Sequence, residues 1–283
     1  MSRRREFARR LAALTDIAGI LSAMRNLALM ETRVLAELIP GQRRMVAGIE
    51  TAAADFLAWH EAPAAAPADG PELCVLVGSE QGFCGDFNEA LVAALQARCA
   101  APGDAVRWIV VGRRLAARFA DLPDDAELLS GATVADEIPA TLLRLTGAIG
   151  RRLAAEPAAG YGLTALYHCA ASGGVRLRRL LPLRDLPPAA PHSHPVEIHL
   201  APADLLAGLA HHYLHAALNE VLYSSLLAEN RQRQAHMERA LQRLDEKTDR
   251  LRRAANAQRQ EDITEEIEIL LLSDTAMKEE SSA

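Results

Sequence analysis

The stretch DLLAGLAHHYLHAALNEVLYSSLLAENRQRQAHMERALQRLDEKTDRLRRAANAQRQEDITEEIEILLL, from Asp204 to Leu272, decides the fold. It follows Pro202, contains no proline and carries one glycine, Gly208. As one helix rising about 1.5 Å per residue it would run on the order of 100 Å, far more than a globular domain requires. Such a helix holds in water only if its apolar stripe is covered. The one other segment with a matching stripe lies at the opposite end of the chain. From Arg4 to Ile39 there is again no proline and one glycine, Gly19, while Phe7, Leu11, Leu14, Ala18, Leu21, Ala28 and Leu35 follow steps of three and four. The ends are therefore expected to form an antiparallel coiled coil. Pro40-Gly41 should interrupt or bend the first helix, because proline lacks an N–H and clashes with the preceding turn. The helical pattern resumes to about Trp59.

Between the ends the period changes. EAPAAAPADGP, Glu61 to Pro71, has the Ala, Pro and Gly content of a linker. ELCVLVG (Glu72 to Gly78) and AVRWIVVG (Ala105 to Gly112) are short apolar runs closed by glycine, each followed by a stretch of helical length. YGLTALYHCAA (Tyr161 to Ala171) is a third such run, after a helix around Ala140 to Ala155. VRLRRLLPL (Val175 to Leu183) and VEIHL (Val196 to Leu200) read as further strands. Alternating strands and helices predict a mostly parallel sheet with helical cover. The fold class is α/β: an inserted Rossmann-like domain at 72–201, between coiled-coil helices at 1–60 and 202–283, with the linker at 61–71.

Composition excludes several functions. The net charge of -6 leaves no global basic field for nucleic acid, and every cation except Lys247 and Lys278 is arginine. Four cysteines without a CxxC pair (Cys74, Cys84, Cys99, Cys169) read as reduced thiols in a cytosolic compartment. The MSRRREFARRL start could head an export signal, but Asp16, Arg25 and Glu31 break the apolar run such a signal needs. No run of 18 apolar residues occurs, so no membrane span is expected.

Catalytic signatures are equally scarce. The loop Glu80 to Gly85 follows a strand and precedes a helix, as phosphate-cradling loops do, yet it lacks GxxxxGK and a full GxGxxG. A tight turn needing positive φ at glycine explains it as well. His211 and His215 sit four apart with His212 beside them, and His192 and His194 form an HSH, but no acid or thiol follows at ligand spacing, so no metal and no cofactor are expected. Arginines crowd both terminal segments, and pairs such as Glu229–Arg233 and Glu246–Arg250 at i,i+4 fit a solvated helix face. Glu261, Asp262, Glu265, Glu266 and Glu268, mixed with Ile263, Ile267, Ile269 and Leu270, make a two-faced helix.

Three motifs, in order, resemble the gamma subunit of F-type ATP synthases. They are ILSAMRNLALME (Ile20 to Glu31), VGSEQGFCGDFN (Val77 to Asn88) and NAQRQEDITEEIEIL (Asn256 to Leu270), and LLPL at Leu180 to Leu183 is similar to the family's strand there. Glu80-Gln81 stand where the family has Asp-Arg, Asp86 replaces its second glycine, Leu21 and Ser22 depart near Met24, and RLDEKTDRL (Arg243 to Leu251) replaces a glycine-containing stretch. The departures suit a divergent branch, such as an alternative or Na+-type F-ATPase.

The resemblance implies a single-copy central-stalk rotor. It couples ion flow through a membrane c-ring to ATP synthesis or hydrolysis in an alpha3beta3 hexamer, with an epsilon subunit as further partner. It would be a non-catalytic subunit, peripheral to the membrane on the cytoplasmic face of the cell inner membrane, binding no nucleic acid. Carried onto this sequence, the rotor–stator contacts are Met24, Arg25, Gly82, Cys84, Gly85, Arg233, Arg259, Gln260, Thr264 and Glu266. Two rivals are a Rossmann-type nucleotide-binding enzyme with helical oligomerisation arms, and a coiled-coil adaptor.

Overall fold

A computed structural model describes residues 2–60, 72–99, 106–118, 126–155, 162–183, 186–190, 194 and 197–280. The linker at 61–71, Val196 and His192 lie outside them. The elements run α1 (Ser2–Leu57), β1 (Glu72–Val77), α2 (Phe87–Cys99), β2 (Val106–Val111), α3 (Arg113–Ala116), β3 (Glu127–Leu129), a 3-10 turn (Ala135–Glu137), α4 (Ile138–Ala155), β4 (Gly162–Cys169), β5 (Gly174–Leu181) and α5 (Pro202–Glu280). Two compact units divide them. One holds residues 1–26 and 235–283, the other 27–234.

The larger unit is built on a five-stranded sheet of order β3-β2-β1-β4-β5, parallel except for β5. Its strands alternate between two apolar layers. Leu73, Val75, Val77, Ile109, Val111 and Tyr167 face α4 and the paired segments of α1 (Leu35, Ile39, Val46) and α5 (Ala216 to Leu227). Cys74, Leu76, Trp108 and Val110 face Phe87, Leu91 and Leu95 of α2 and Leu115 of α3. Burial on both faces explains why β1 and β2 read as continuous apolar runs. The helices run antiparallel here: Asn219 Nδ2 donates to Gln42 Oε1 at 2.9 Å, and Arg178 of β5 reaches Glu50 of α1 at 3.0 Å and Glu220 of α5 at 2.7 Å. Burial pushes the Arg178 guanidinium toward losing its charge, but Tyr213 and Glu220 more than offset this and raise its pKa.

In the smaller unit Phe7, Leu11, Leu14, Ala18 and Leu21 are half-buried, and the same steps recur on α5 at Met237, Leu241, Leu244, Thr248, Leu251 and Ala255. The sequence stripe is a real seam.

Three local readings are corrected. α1 is continuous through Pro40. Pro40 and Ala36, whose carbonyl loses its partner there, are both exposed, so the freed carbonyl lies on the solvent side of the helix. Glu197–Leu200 is irregular and forms no strand, and Leu200 is 59% exposed: an alternating pattern without a partner edge is not enough. The helix after β2 has only four residues, and the three-residue β3 is too short to show periodicity. Apart from these, α1 between Arg5 and Leu57 is long and apolar enough to cross a membrane by length and composition alone, although it contains no run of 18 apolar residues. Leu27, Met30, Val34 and Leu38 of α1 face outward in the larger unit.

Candidate functional site

The loop after β1 is fixed from below by close packing. A Cβ on Gly78 would lie 2.4 Å from the Cβ of Leu115, and one on Gly112, whose φ is 112°, would lie 2.8 Å from the Gly78 carbonyl oxygen. Only glycines let the ends of β1 and β2 approach this closely. Ser79 N–H donates to Asn88 Oδ1 at 3.0 Å, and Asn88 Nδ2 donates to Ser79 Oγ at 2.8 Å, so the loop's first residue is tied to the first turn of α2. His168 of β4 stacks on Phe87 at 3.9 Å, with Nε2 2.7 Å from the Phe87 carbonyl oxygen; burial lowers its pKa.

Glu80 turns inward. Its carboxylate accepts from the backbone N–H of Arg113 at 3.0 Å and of Gly131 at 2.8 Å, and pairs with the Arg113 guanidinium. Burial would raise its pKa, yet these donors together hold it below the usual value. The Arg113 side chain is 78% exposed, so the two backbone donors are the better-shielded part of the clamp.

From the other side α5 grips the same loop. Arg233 pairs with Glu229 one turn earlier and donates to Asn230 Oδ1 at 2.8 Å and to the Gly82 carbonyl oxygen at 3.3 Å. Arg233 and Glu229 are 4% and 3% exposed. The expectation of a solvated pair is corrected: the pair is desolvated because the loop covers it. Glu246–Arg250, 3.6 Å apart, does lie on an exposed face. Burial pushes the Glu229 carboxyl up to about 7, against the pull of Arg233.

Four of the sequence-derived site residues therefore meet: Gly82, Cys84, Gly85 and Arg233. The Cys84 thiol is buried, with Sγ 3.5 Å from the Gln81 carbonyl oxygen, and its pKa is raised by burial. It is inert; what the loop exposes is Gln81, Gly85, Asp86 and above all Phe83, 58% exposed at φ 65°. Gly85 has the positive φ expected of a tight turn. In the smaller unit Met24 is half-buried, Arg25 donates to Glu238 Oε2 at 2.9 Å, and Arg259, Gln260, Thr264 and Glu266 are exposed on α5, with Thr264 Oγ1 donating to the Gln260 carbonyl oxygen at 2.9 Å. The anchors Ser79, Glu80, Asn88 and Glu229 escaped the sequence reading. Only the nine-residue spacing of two small polar side chains across a strand–helix turn hinted at the Ser79–Asn88 pair.

The position of this clamp matters chemically. In open α/β sheets, ligands enter the crevice at the carboxyl ends of the strands where strand order reverses. Here that point lies between β1 and β4. α5 fills it: Ser225 Oγ donates to the Val77 carbonyl oxygen at 3.3 Å, Ser224 Oγ accepts from Ala170 N at 3.0 Å, and Arg231 donates to the Ala170 carbonyl oxygen at 3.0 Å. A cleft of about 440 Å³ remains on the outer side, lined by Gln81, Phe83, Arg114 and Arg118, the last paired with Glu89 at 2.7 Å. Among the described residues no three His, Cys, Asp or Glu side chains are placed to share a metal ion.

An α/β domain whose ligand crevice is filled by its own long helix, on a chain whose terminal helices pair in a second unit, defines a class of α/β proteins inserted between paired helices. The comparisons with known proteins agree. The family model described as ATP synthase matches residues 3–270. Similar solved structures include a chain of the Euglena gracilis mitochondrial ATP synthase rotor, at 14% identity and a TM-score of 0.61, covering 93% of this chain and 99% of that one. Another is a chain of the same organism's OSCP/F1/c-ring structure, at 15% and 0.63, covering 98% and 95%. A chain of the Tetrahymena thermophila mitochondrial ATP synthase central stalk and c-ring matches at 16% and 0.55, covering 78% and 99%. No curated protein matches. The chain belongs to the ATP synthase gamma family, as a rotor subunit of a rotary ATP synthase.

Proposed function

We propose that this subunit turns as the single-copy central stalk inside an alpha3beta3 hexamer, with its α/β domain held by the c-ring and an epsilon subunit, and that it sits peripherally on the cytoplasmic face of the cell inner membrane. The observation that carries this reading is the family match over residues 3–270, which takes in both terminal helices and the clamped loop together. The loop 80–86 and the outward stripe Leu27, Met30, Val34 and Leu38 are the surfaces offered to the ring. A rotor shifts the catalytic sites only by the difference in its contact energy with their states, so an asymmetric set of contacts favours a different state at each site in turn. One charge crossing 100 mV supplies about 2.3 kcal/mol. Several ions must therefore be summed through the stalk for each nucleotide.

Arg25, Arg259, Gln260, Thr264 and Glu266 carry polar or charged groups suited to contacts made and broken at each step, because a wet ion pair costs little to break. Met24, Gly82 and Gly85 complete the proposed rotor–stator set, with the buried Cys84 and Arg233 holding the loop from inside. Affinity capture of the chain co-expressed with nucleotide-binding ring subunits is expected to recover one copy per ring. A stable self-dimer without ring subunits, seen by size-exclusion chromatography, would instead support an adaptor. Saturable nucleotide binding to the isolated chain would support the enzyme rival.

A further inference from the structure

We propose that Phe83 is the anchor of the clamped loop: a strained, pre-set aromatic side chain that enters an apolar recess on a ring subunit, beside a carboxylate that pairs with Arg114. The inference rests on the rotor reading above and names the residue and the partner chemistry at one contact.

Phe83 stands at φ 65° and is 58% exposed. A bulky side chain is seldom found in the left-handed region, and holding one there costs stability. Glycine carries such a backbone freely, and the loop already has Gly82 before this position and Gly85 two residues after it. An exposed phenyl ring offsets little of the strain, because its apolar surface stays in water. Folding therefore accounts for neither the residue nor its conformation, whereas recognition accounts for both.

An aromatic side chain binds best when it is held in place beforehand, since less freedom is lost on contact. The loop around Phe83 is fixed from four directions. Ser79 is tied to Asn88, Glu80 to the N–H groups of Arg113 and Gly131, the Gly82 carbonyl oxygen to Arg233, and Asp86 to Gln232 of α5. Arg114 supplies the charge. Its N–H donates to the Ser79 carbonyl oxygen at 3.1 Å, and its guanidinium lies against Gly82, 3.7 Å from where a Cβ would stand. Arg118 beside it is paired with Glu89, but among the described residues no carboxylate pairs with Arg114. An exposed ring next to an unpaired guanidinium is complementary to an apolar recess with an acidic rim, and aromatic residues and arginine are the side chains enriched at such contacts.

The test combines titration of the full chain against the assembled alpha3beta3 ring with urea unfolding of the same variants. Phe83→Ala and Phe83→Gly should both weaken ring binding about thirtyfold, the loss expected of a hot spot. In urea, Phe83→Gly should have a folding equilibrium constant several-fold above that of Phe83→Ala, the reverse of the order at an unstrained position, because only glycine relieves the backbone. Arg114→Glu should weaken binding about tenfold at low salt and much less at high salt, while the Phe83 losses persist at both. The proposal is overturned if either Phe83 variant binds the ring as tightly as wild type, if Phe83→Gly folds no better than Phe83→Ala, or if Arg114→Glu binds like wild type at low salt. Failure of the wild-type chain to bind the ring at all is a different result, which refutes the rotor reading and this anchor with it.

Discussion

Two carboxylates packed against the same loop, Glu80 within it and Glu229 on α5, are shifted in opposite directions, and the difference is measurable. Glu80 is held below its ordinary pKa, so the folded state binds its proton more weakly than the unfolded chain. The stability it contributes is present above the ordinary value of 4.5 and is lost as pH falls through the lowered one. Glu229, raised to about 7, behaves the other way: its contribution is greatest below 4.5 and declines as pH rises toward 7. Melting temperatures recorded from pH 3 to 8 should therefore show Glu80→Gln losing most relative to wild type above pH 5 and converging with it in acid. The deficit of Glu229→Gln should shrink between pH 5 and pH 7. Parallel curves for either variant would mean that the clamp is not electrostatic. At the same scale, Met24→Lys should lower coupled ion pumping severalfold while leaving assembly near normal, since Met24 is only half-buried; normal pumping removes it from the contact set.

Elements were legible in proportion to how much local pattern they carry. The heptad stripes of α1 and α5, and the all-apolar β1 and β2, are set by residues within one or two turns of each other, so their period survives in sequence. Pro40 was misjudged because a proline's cost depends on which way the freed carbonyl faces, and only the packed helix shows that Ala36 looks outward. Replacing Pro40 with Ala should restore that hydrogen bond and stabilise the chain by about 1–3 kcal/mol in urea denaturation. The clamp was missed for another reason: Glu229–Arg233 reads identically whether a helix face is wet or covered, and the cover comes from residues about 150 positions earlier. Arg178 is similar, an arginine on an edge strand that looks like protection against edge pairing yet joins Glu50 and Glu220. Arg178→Met would strand the Glu50 carboxylate and leave Glu220 only its pair with Arg43 at 3.4 Å, and should cost about 3 kcal/mol in the same assay. A cost under about 1 kcal/mol would show that water reaches both.

At the scale of the whole molecule, the two units are held by different means, and that makes their roles separable. The larger has apolar layers on both faces of a sheet. In the smaller, among residues whose side chains are described, Met237 alone among the apolar seam positions is fully buried, and the rest of the seam is half-covered. Stability distributed in this way lets one part open or be removed without unfolding the other. Within the smaller unit, Arg25 paired with Glu238 sets an antiparallel register in which Phe7 and Leu11 fall opposite the part of α5 beyond Arg250. Truncation after Arg250 should thus expose those two residues and delete Arg259, Gln260, Thr264 and Glu266, while the main thermal transition, which belongs to the sheet and its helices, keeps its midpoint. The truncated chain should still fold but support severalfold less coupled ATPase activity when assembled with ring and membrane partners. Unchanged coupling would remove torque transmission from the C-terminal helix, whereas loss of the main transition would show that the larger unit depends on the smaller.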